Sequence, residues 1–150
     1  MKFRFPLQKV MQHRKTIEDL AQRDFQEALA ELNKQENVLL EMQGAVKTAR
    51  AGAFDTQSTG GQASPALVQV DEFLKGQDIR IGWQKQKIQE CESLVEKLRE
   101  ILREKAIDYK IIEGLKDRHL EEHRVDQNKR EQKLTDEMNV MRFRRGENEK

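Results

Sequence analysis

The chain has 150 residues and a net charge of +1, and 37% of its residues are charged while only 5% are aromatic. This composition is typical of a coiled coil or a long helix, and the balanced charge argues against a protein that coats nucleic acid. No apolar run reaches the ~20 residues that span a bilayer, and the start of the sequence lacks the apolar core of a secretory signal. The single cysteine, Cys91, excludes a disulfide within the chain and is predicted to be a small buried apolar residue.

The first predicted helix extends from about residue 6 to about residue 50. It begins at Pro6, since proline is favoured in the first helical turn, and Gly52 is a usual stop signal. Apolar residues recur along it at alternating steps of three and four, among them Leu7, Met11, Phe25, Leu32, Leu39 and Val46. Such a narrow stripe requires a partner helix, because a lone helix cannot bury it.

A loop is predicted over residues 51–64, where glycine and serine are frequent. Phe54 is expected to cover the tip of this loop, with an exposed contact as the alternative. Ser64 and Pro65 resemble an N-cap followed by a first-turn proline, and so predict the start of a second helix.

The second predicted helix extends from about residue 65 to about residue 143 and has its own heptad stripe. The stripe includes Leu67, Leu74, Gln77, Ile81, Gln84, Ile88, Val95 and Leu102. Together the two stripes predict an all-α fold, with residues 1–150 forming a single domain. In it, two long helices form an antiparallel coiled-coil hairpin, and the longer second helix overhangs without a partner beyond about Lys110. Gly76 and Gly82 each cost about 1 kcal/mol relative to alanine and loosen the early part of this helix.

Catalytic chemistry is not expected. His119 and His123 have a metal-compatible spacing, but no third ligand is apparent, so they are predicted to lie on a solvated helix face. Carboxylates are numerous, yet acid–base catalysis needs two that converge in a cleft. The sequence therefore predicts no enzyme, no catalytic or metal site and no cofactor.

The two ends of the chain combine basic and aromatic residues. Lys2 and Arg4 flank Phe3, and Arg142, Phe143, Arg144 and Arg145 lie near the other terminus. In a hairpin both ends lie at the same side, which favours docking onto an acidic or phosphate-rich partner surface over two frayed termini. Nucleic acid is not the expected partner, since two short clusters are weak evidence for it.

Several short segments resemble the FliJ family of the bacterial flagellar type III export apparatus. The segments are Phe5-Pro6-Leu7, Asp71-Glu72-Phe73-Leu74, Arg124-Val125-Asp126-Gln127, Thr135-Asp136-Glu137-Met138 and the basic end from Arg142 to Arg145. Their order adds more to the resemblance than the heptads do, because all coiled coils share heptads.

The resemblance implies a non-enzymatic export component that acts in flagellum biogenesis, motility and chemotaxis. It would be cytoplasmic and peripheral at the cytoplasmic face of the inner membrane, held there through its partners. Like the stalk of rotary ATP synthases, it would insert its ends into the hexameric export ATPase and promote ATPase assembly or activity. The residues implied at these ends are Phe5, Leu7, Met138, Met141, Arg142, Phe143, Arg144 and Arg145.

The resemblance also implies a contact with the export-gate membrane protein, through Phe73, Gln77, Arg80 and Gln84 on the second helix. Export chaperones are further expected partners. Three alternatives remain open: a chaperone escort, the stalk of a related virulence secretion system, and a homodimeric scaffold formed by parallel pairing of both stripes.

Overall fold

The fold is all-α and consists of two helices. The computed structural model describes residues 2–58 and 65–148, in which α1 is Gln8–Ser58 and α2 is Pro65–Asn148. The two helices pack against each other as an antiparallel hairpin, and α2 is the longer one, as predicted. No residue of the described part forms a strand.

Both helices continue past their predicted C-terminal ends. Residues 51–58, predicted as loop, continue α1 to Ser58. A single glycine destabilises a helix interior by only about 1 kcal/mol relative to alanine, so Gly52 does not end α1. The Thr56 hydroxyl also donates to the Gly52 carbonyl over 3.0 Å, a bond made within the helix. At the other end α2 continues beyond residue 143 to Asn148.

The loop prediction otherwise falls on residues 59–64, including the Ser64 N-cap, and these lie outside the described residues. Phe54 is largely exposed, so the expectation that it covers the tip of the hairpin is wrong.

The start of α1 also differs from the predicted start by two positions. The Gln8 amide donates to the Phe5 carbonyl over 3.3 Å, and Pro6 lies in the turn before the helix.

The described residues belong to two compact units, each of which is built from both helices. The middle unit comprises Asp19–Arg103, and the terminal unit comprises Met1–Glu18 with Glu104–Lys150.

The middle unit has an apolar seam formed by the predicted heptad positions. Its buried members are Ala28, Leu32, Ile88 and Val95, with Phe25, Leu29, Leu39, Cys91 and Leu98 packed against them. Cys91 is only partly buried, since a two-helix seam has no second layer to cover it. Burial of this apolar surface is the main stabilising term of the unit.

Gln35, Gln77 and Gln84 are buried polar residues in the seam, and two of them, Gln35 and Gln84, bind each other. The Gln84 side-chain amide donates to the Gln35 backbone carbonyl and to Gln35 Oε1, both over 2.9 Å. Gln35 Nε2 in turn donates to Glu31 Oε1 over 2.6 Å. Since a buried amide without partners costs free energy, this pair favours the one alignment of α1 and α2 that satisfies it.

The terminal unit is held by residues that precede α1. Phe5 is buried, and its ring meets the His119 ring edge-on with centroids 5.8 Å apart. Phe3 meets His123 in the same way at 5.5 Å. The chain before Gln8 is not helical, and extended residues reach about 3.3 Å each against 1.5 Å in a helix. It therefore extends along α2 as far as His123.

This packing corrects two predictions. Ile112 is buried, and α2 has intramolecular contacts up to His123, so the unpartnered part does not begin near Lys110. His119 and His123 are partly buried ring contacts and do not lie on a fully solvated helix face. From Asn128 to Glu147 every residue of α2 is exposed.

Candidate binding surfaces

The four residues predicted to contact an export gate divide into two pairs. Phe73 and Arg80 present their side chains at the surface of the middle unit. Gln77 and Gln84 are only 6% and 8% exposed, because they occupy heptad positions in the seam. Their positions on the heptad stripe of the sequence already predicted that both side chains are buried. A partner can therefore reach Phe73 and Arg80 directly, but not the other two.

Arg80 is fixed relative to the seam. Its guanidinium Nη1 donates to Gln77 Oε1 over 3.2 Å, so the buried amide and the exposed cation are coupled. Gln77 thus has an indirect role at this surface, since it helps to orient the arginine.

Two exposed apolar residues on the same part of α2 were not among the predicted contacts. Ile79 and Trp83 are more than half exposed and lie four residues apart, on one side of the helix. The sequence signal was available, because both are large apolar residues that fall outside the heptad stripe. Isolated exposed apolar residues are ordinary, but a pair at helical spacing marks a candidate contact surface.

Lys75 carries a local ion pair on this segment. Its ammonium lies 2.9 Å from the Asp71 carboxylate, and the hydrogen bond and charge of Asp71 raise the pKa of Lys75 above its ordinary value. Both groups are exposed, so solvent screens the interaction and it adds little to stability.

The residues predicted to dock into an ATPase also fall into two groups, one buried and one exposed. Phe5 is buried against His119 and stabilises the terminal unit, so its ring is not accessible to a partner. Leu7 is exposed at the turn before α1.

The remaining docking candidates lie together on the exposed end of α2. This C-terminal segment comprises Met138, Met141, Arg142, Phe143, Arg144 and Arg145. The two methionines and three arginines line one shallow, open depression. Methionine adapts to irregular apolar partners, and arginine binds carboxylates and phosphates in two-pronged fashion, so this surface suits a partner with acidic and apolar groups.

Among residues 2–58 and 65–148 no group of three or more potential ligands is arranged to hold a metal ion. No helix in the same part of the chain is long and apolar enough to cross a membrane. Both units expose helix faces with apolar and charged side chains, and the class of protein that the fold defines is the coiled-coil helical hairpin.

The family follows from comparison with known proteins. The sequence profile of the family described as "Flagellar FliJ protein" matches residues 2–148. The chain therefore belongs to the FliJ family, whose members are non-enzymatic components of the flagellar type III export apparatus. The resemblance found in the sequence is thereby confirmed.

A solved structure shares the fold. A putative YscO homologue from Chlamydia trachomatis superposes with a TM-score of 0.63, over 99% of this chain and 100% of its own, at 17% sequence identity. At that identity the similarity concerns the fold alone. A search among curated proteins found no match.

Proposed function

We propose that this chain is a stalk of the flagellar type III export apparatus that docks into the hexameric export ATPase and promotes its assembly or activity. Family membership supports the apparatus, and the exposed C-terminal segment supports the docking. From Asn128 to Glu147 every residue of α2 is exposed, so this part of the helix is accessible to a partner.

The C-terminal segment supplies both kinds of contact that such an interface needs. Met138, Met141 and Phe143 are exposed apolar anchors, and Arg142, Arg144 and Arg145 are exposed cations beside them. A few buried apolar or arginine anchors carry most of the binding free energy in protein interfaces. The expected partner surface is therefore acidic at its rim and apolar at its centre.

The test is ATP hydrolysis by the cognate export ATPase at low enzyme concentration, with and without the chain. The triple change Arg142→Glu, Arg144→Glu and Arg145→Glu should abolish stimulation, since it reverses the charge of the segment while leaving helicity unchanged. The matched control is Lys34→Glu, Lys47→Glu and Arg50→Glu, which makes the same charge change at exposed positions of the middle unit. Full stimulation by the first variant would contradict docking through this segment.

We also propose that the middle unit couples the ATPase to the export-gate membrane protein through Phe73 and Arg80. The exposure of these two residues supports this role, whereas Gln77 and Gln84 would act only by keeping α2 in place. The chain would then be cytoplasmic and held at the inner membrane by its partners. Export chaperones could bind the same surface as part of an escort role.

Phe73→Ala should weaken binding to the soluble part of the gate protein while ATPase stimulation remains intact. Phe54→Ala, which also removes an exposed phenylalanine, is the control. Loss of chaperone binding in place of gate binding would favour the chaperone escort, and unchanged binding to both would remove Phe73 from either interface.

A further inference from the structure

The exposed end of α2 comprises residues 128–147, none of which is buried or half-buried. The preceding turns of the same helix differ, because the rings of His119 and His123 contact the aromatic rings of the residues before α1. Packing of this kind supplies most of the stability of helices in proteins. The exposed end therefore depends on interactions within its own helix.

The residue types of the exposed end favour a helix only weakly. Seven of its twenty positions hold residues of low helix propensity, which lose rotamer freedom in a helix, compete for backbone hydrogen bonds or, for glycine, lose the most backbone freedom. These residues are Asn128, Thr135, Asp136, Asn139, Val140, Phe143 and Gly146. The Thr135 hydroxyl donates to the Glu131 carbonyl over 2.9 Å, a type of bond that slightly destabilises helices.

Charged side chains add little support to this helix end. Arg124 and Glu121 form an ion pair at helical spacing just before it, but among the described residues no ion pair involves any of residues 128–147. Lys129 and Lys133 are four residues apart and carry like charges, which is unfavourable in a helix. A basic residue in the last turn interacts favourably with the helix dipole, but this effect does not extend beyond that turn.

We propose that the exposed end of α2 is helical for only part of the time in the free chain, and that it completes its folding when it docks onto the export ATPase. The docking half of this inference rests on the proposed function. The helix shown in the structure is the conformation that can dock, since it places Met138, Met141 and Arg145 along one side at spacings of three and four. Docking selects this conformation from those that the free segment adopts.

Folding on docking lowers the affinity of the chain for its partner. The apparent dissociation constant rises in inverse proportion to the helical fraction of the free segment, because only helical chains can dock. A segment that folds as it binds can therefore make many specific contacts and still be released readily.

Hydrogen exchange of the free, full-length chain tests the first half of the inference. Backbone amides of the exposed end should exchange within about tenfold of the rate of an unfolded peptide. Amides near Ile112 and His119, which lie in packed turns of α2, should exchange at least about a hundredfold more slowly. Equal protection of the two stretches would overturn the proposal.

Paired alanine and glycine variants test the coupling between folding and docking. Thr135→Ala with Asn139→Ala, and Thr135→Gly with Asn139→Gly, remove the same side chains and therefore the same contacts. The two variants differ in helix propensity, which is highest for alanine and low for glycine.

Titration of the ATPase with each variant gives the affinities. If the exposed end folds on docking, the alanine variant should bind at least about tenfold more tightly than the glycine variant, since more of the free chain is then helical. If the segment is already fully helical, propensity affects the free and bound states equally. Equal affinities of the two variants would therefore contradict the proposal.

The matched control pair lies in the middle unit. Asn37 and Thr48 are exposed on α1, and Thr48 Oγ1 donates to the Gly44 carbonyl over 3.0 Å, a bond of the same type as that of Thr135. Alanine and glycine at these two positions should change the free energy of unfolding but not the affinity for the ATPase, because this part of α1 is folded in both states. A tenfold difference here too would overturn the assignment of folding to the exposed end.

The two measurements separate this inference from the proposed function. A wild-type chain that does not bind the ATPase would contradict the proposed function and, with it, the docking half of the inference. The exchange rates of the free chain would still decide whether its exposed end unfolds. A wild-type chain that binds, with equal affinities of the alanine and glycine variants, would overturn the inference alone.

Discussion

The middle and terminal units use the same two helices but are stabilised in different ways. In the middle unit, heptad residues from α1 and α2 form a continuous seam with a buried glutamine pair. In the terminal unit, residues 2–7 are not helical and contact α2 through two ring–ring contacts. One unit depends on periodicity, and the other depends on a few individual contacts.

Because of this contrast, we expect substitutions in the two units to affect unfolding differently. A seam made of many similar contacts unfolds cooperatively, so the loss of one large side chain affects the whole unit. Residues 2–7, which contact α2 through the rings of Phe3 and Phe5, can detach locally. The first turns of α1 have a separate contact, the bond from Arg14 Nη1 to the Asp108 carbonyl over 2.8 Å. The predictions below test this contrast.

The largest expected effect is that of Leu32→Ala in the middle unit. Leu32 is buried in the seam beside Ile88 and Val95, and truncation of a buried leucine costs about 2–5 kcal/mol. A value near the lower end is expected, because a two-helix seam is close to solvent and a cavity there can relax. The measurement is urea unfolding followed by circular dichroism.

Leu40→Ala is the control for this prediction, since Leu40 lies on the same helix and is mostly exposed. It should change the free energy of unfolding by less than about 0.5 kcal/mol. Equal effects of the two changes would mean that the seam does not hold the unit together.

Phe5→Ala should produce a smaller and more local effect in the terminal unit. Burial of a phenylalanine contributes about 1.5–3 kcal/mol, but here its loss should release residues 2–7 without unfolding the middle unit. Hydrogen exchange of α2 near Ile112 and His119 should accelerate by about tenfold or more, since a factor of ten corresponds to about 1.4 kcal/mol.

Phe54→Ala is the matched control for Phe5→Ala, because Phe54 is exposed in the middle unit. It should leave exchange near Ile112 unchanged. Uniformly faster exchange throughout the chain after Phe5→Ala would contradict the local release and show that the two units unfold together.

The sequence predicted the middle unit far better than the terminal unit, for a physical reason. Heptads such as those containing Leu32 and Val95 repeat many times, so the fold class, the antiparallel hairpin and most seam residues follow from them. The contact between Phe5 and His119 occurs once and has no period. Pattern reasoning could not find it, and therefore placed the start of the overhang too early.

The same reason explains the outcome for the candidate site residues. Gln77 and Gln84 were taken from a family resemblance although their heptad positions indicated burial, and the structure buries both. The C-terminal segment was expected from its basic and aromatic composition together with the family resemblance, and its residues are exposed. Trp83 is exposed, as its position outside the heptad stripe predicted, although it was not among the predicted contacts.

Gly82→Ala should stabilise the middle unit by about 1 kcal/mol, whereas Leu32→Ala should destabilise it. A Cβ atom at Gly82 meets nothing within 4 Å, so only the gain in helix propensity remains. Gly76→Ala should stabilise the unit similarly, since a Cβ atom there also meets nothing within 4 Å. A destabilising Gly82→Ala would show that this part of α2 needs a flexible backbone.

The smallest expected effect concerns the exposed pair of Lys75 and Asp71. The hydrogen bond and charge of Asp71 raise the pKa of Lys75, so Asp71→Asn should lower it toward its ordinary value in an NMR titration. A raised lysine pKa stabilises the fold below the unfolded-state pKa, and this contribution is lost only as the pH rises through the folded-state pKa. Between pH 6 and 9 the lysine is charged in both states, so Asp71→Asn should leave the shape of the stability–pH curve unchanged there. Since solvent screens the pair, an appreciable drop in melting temperature would mean that Asp71 has a further contact in the middle unit, and that this unit does not depend on its seam alone.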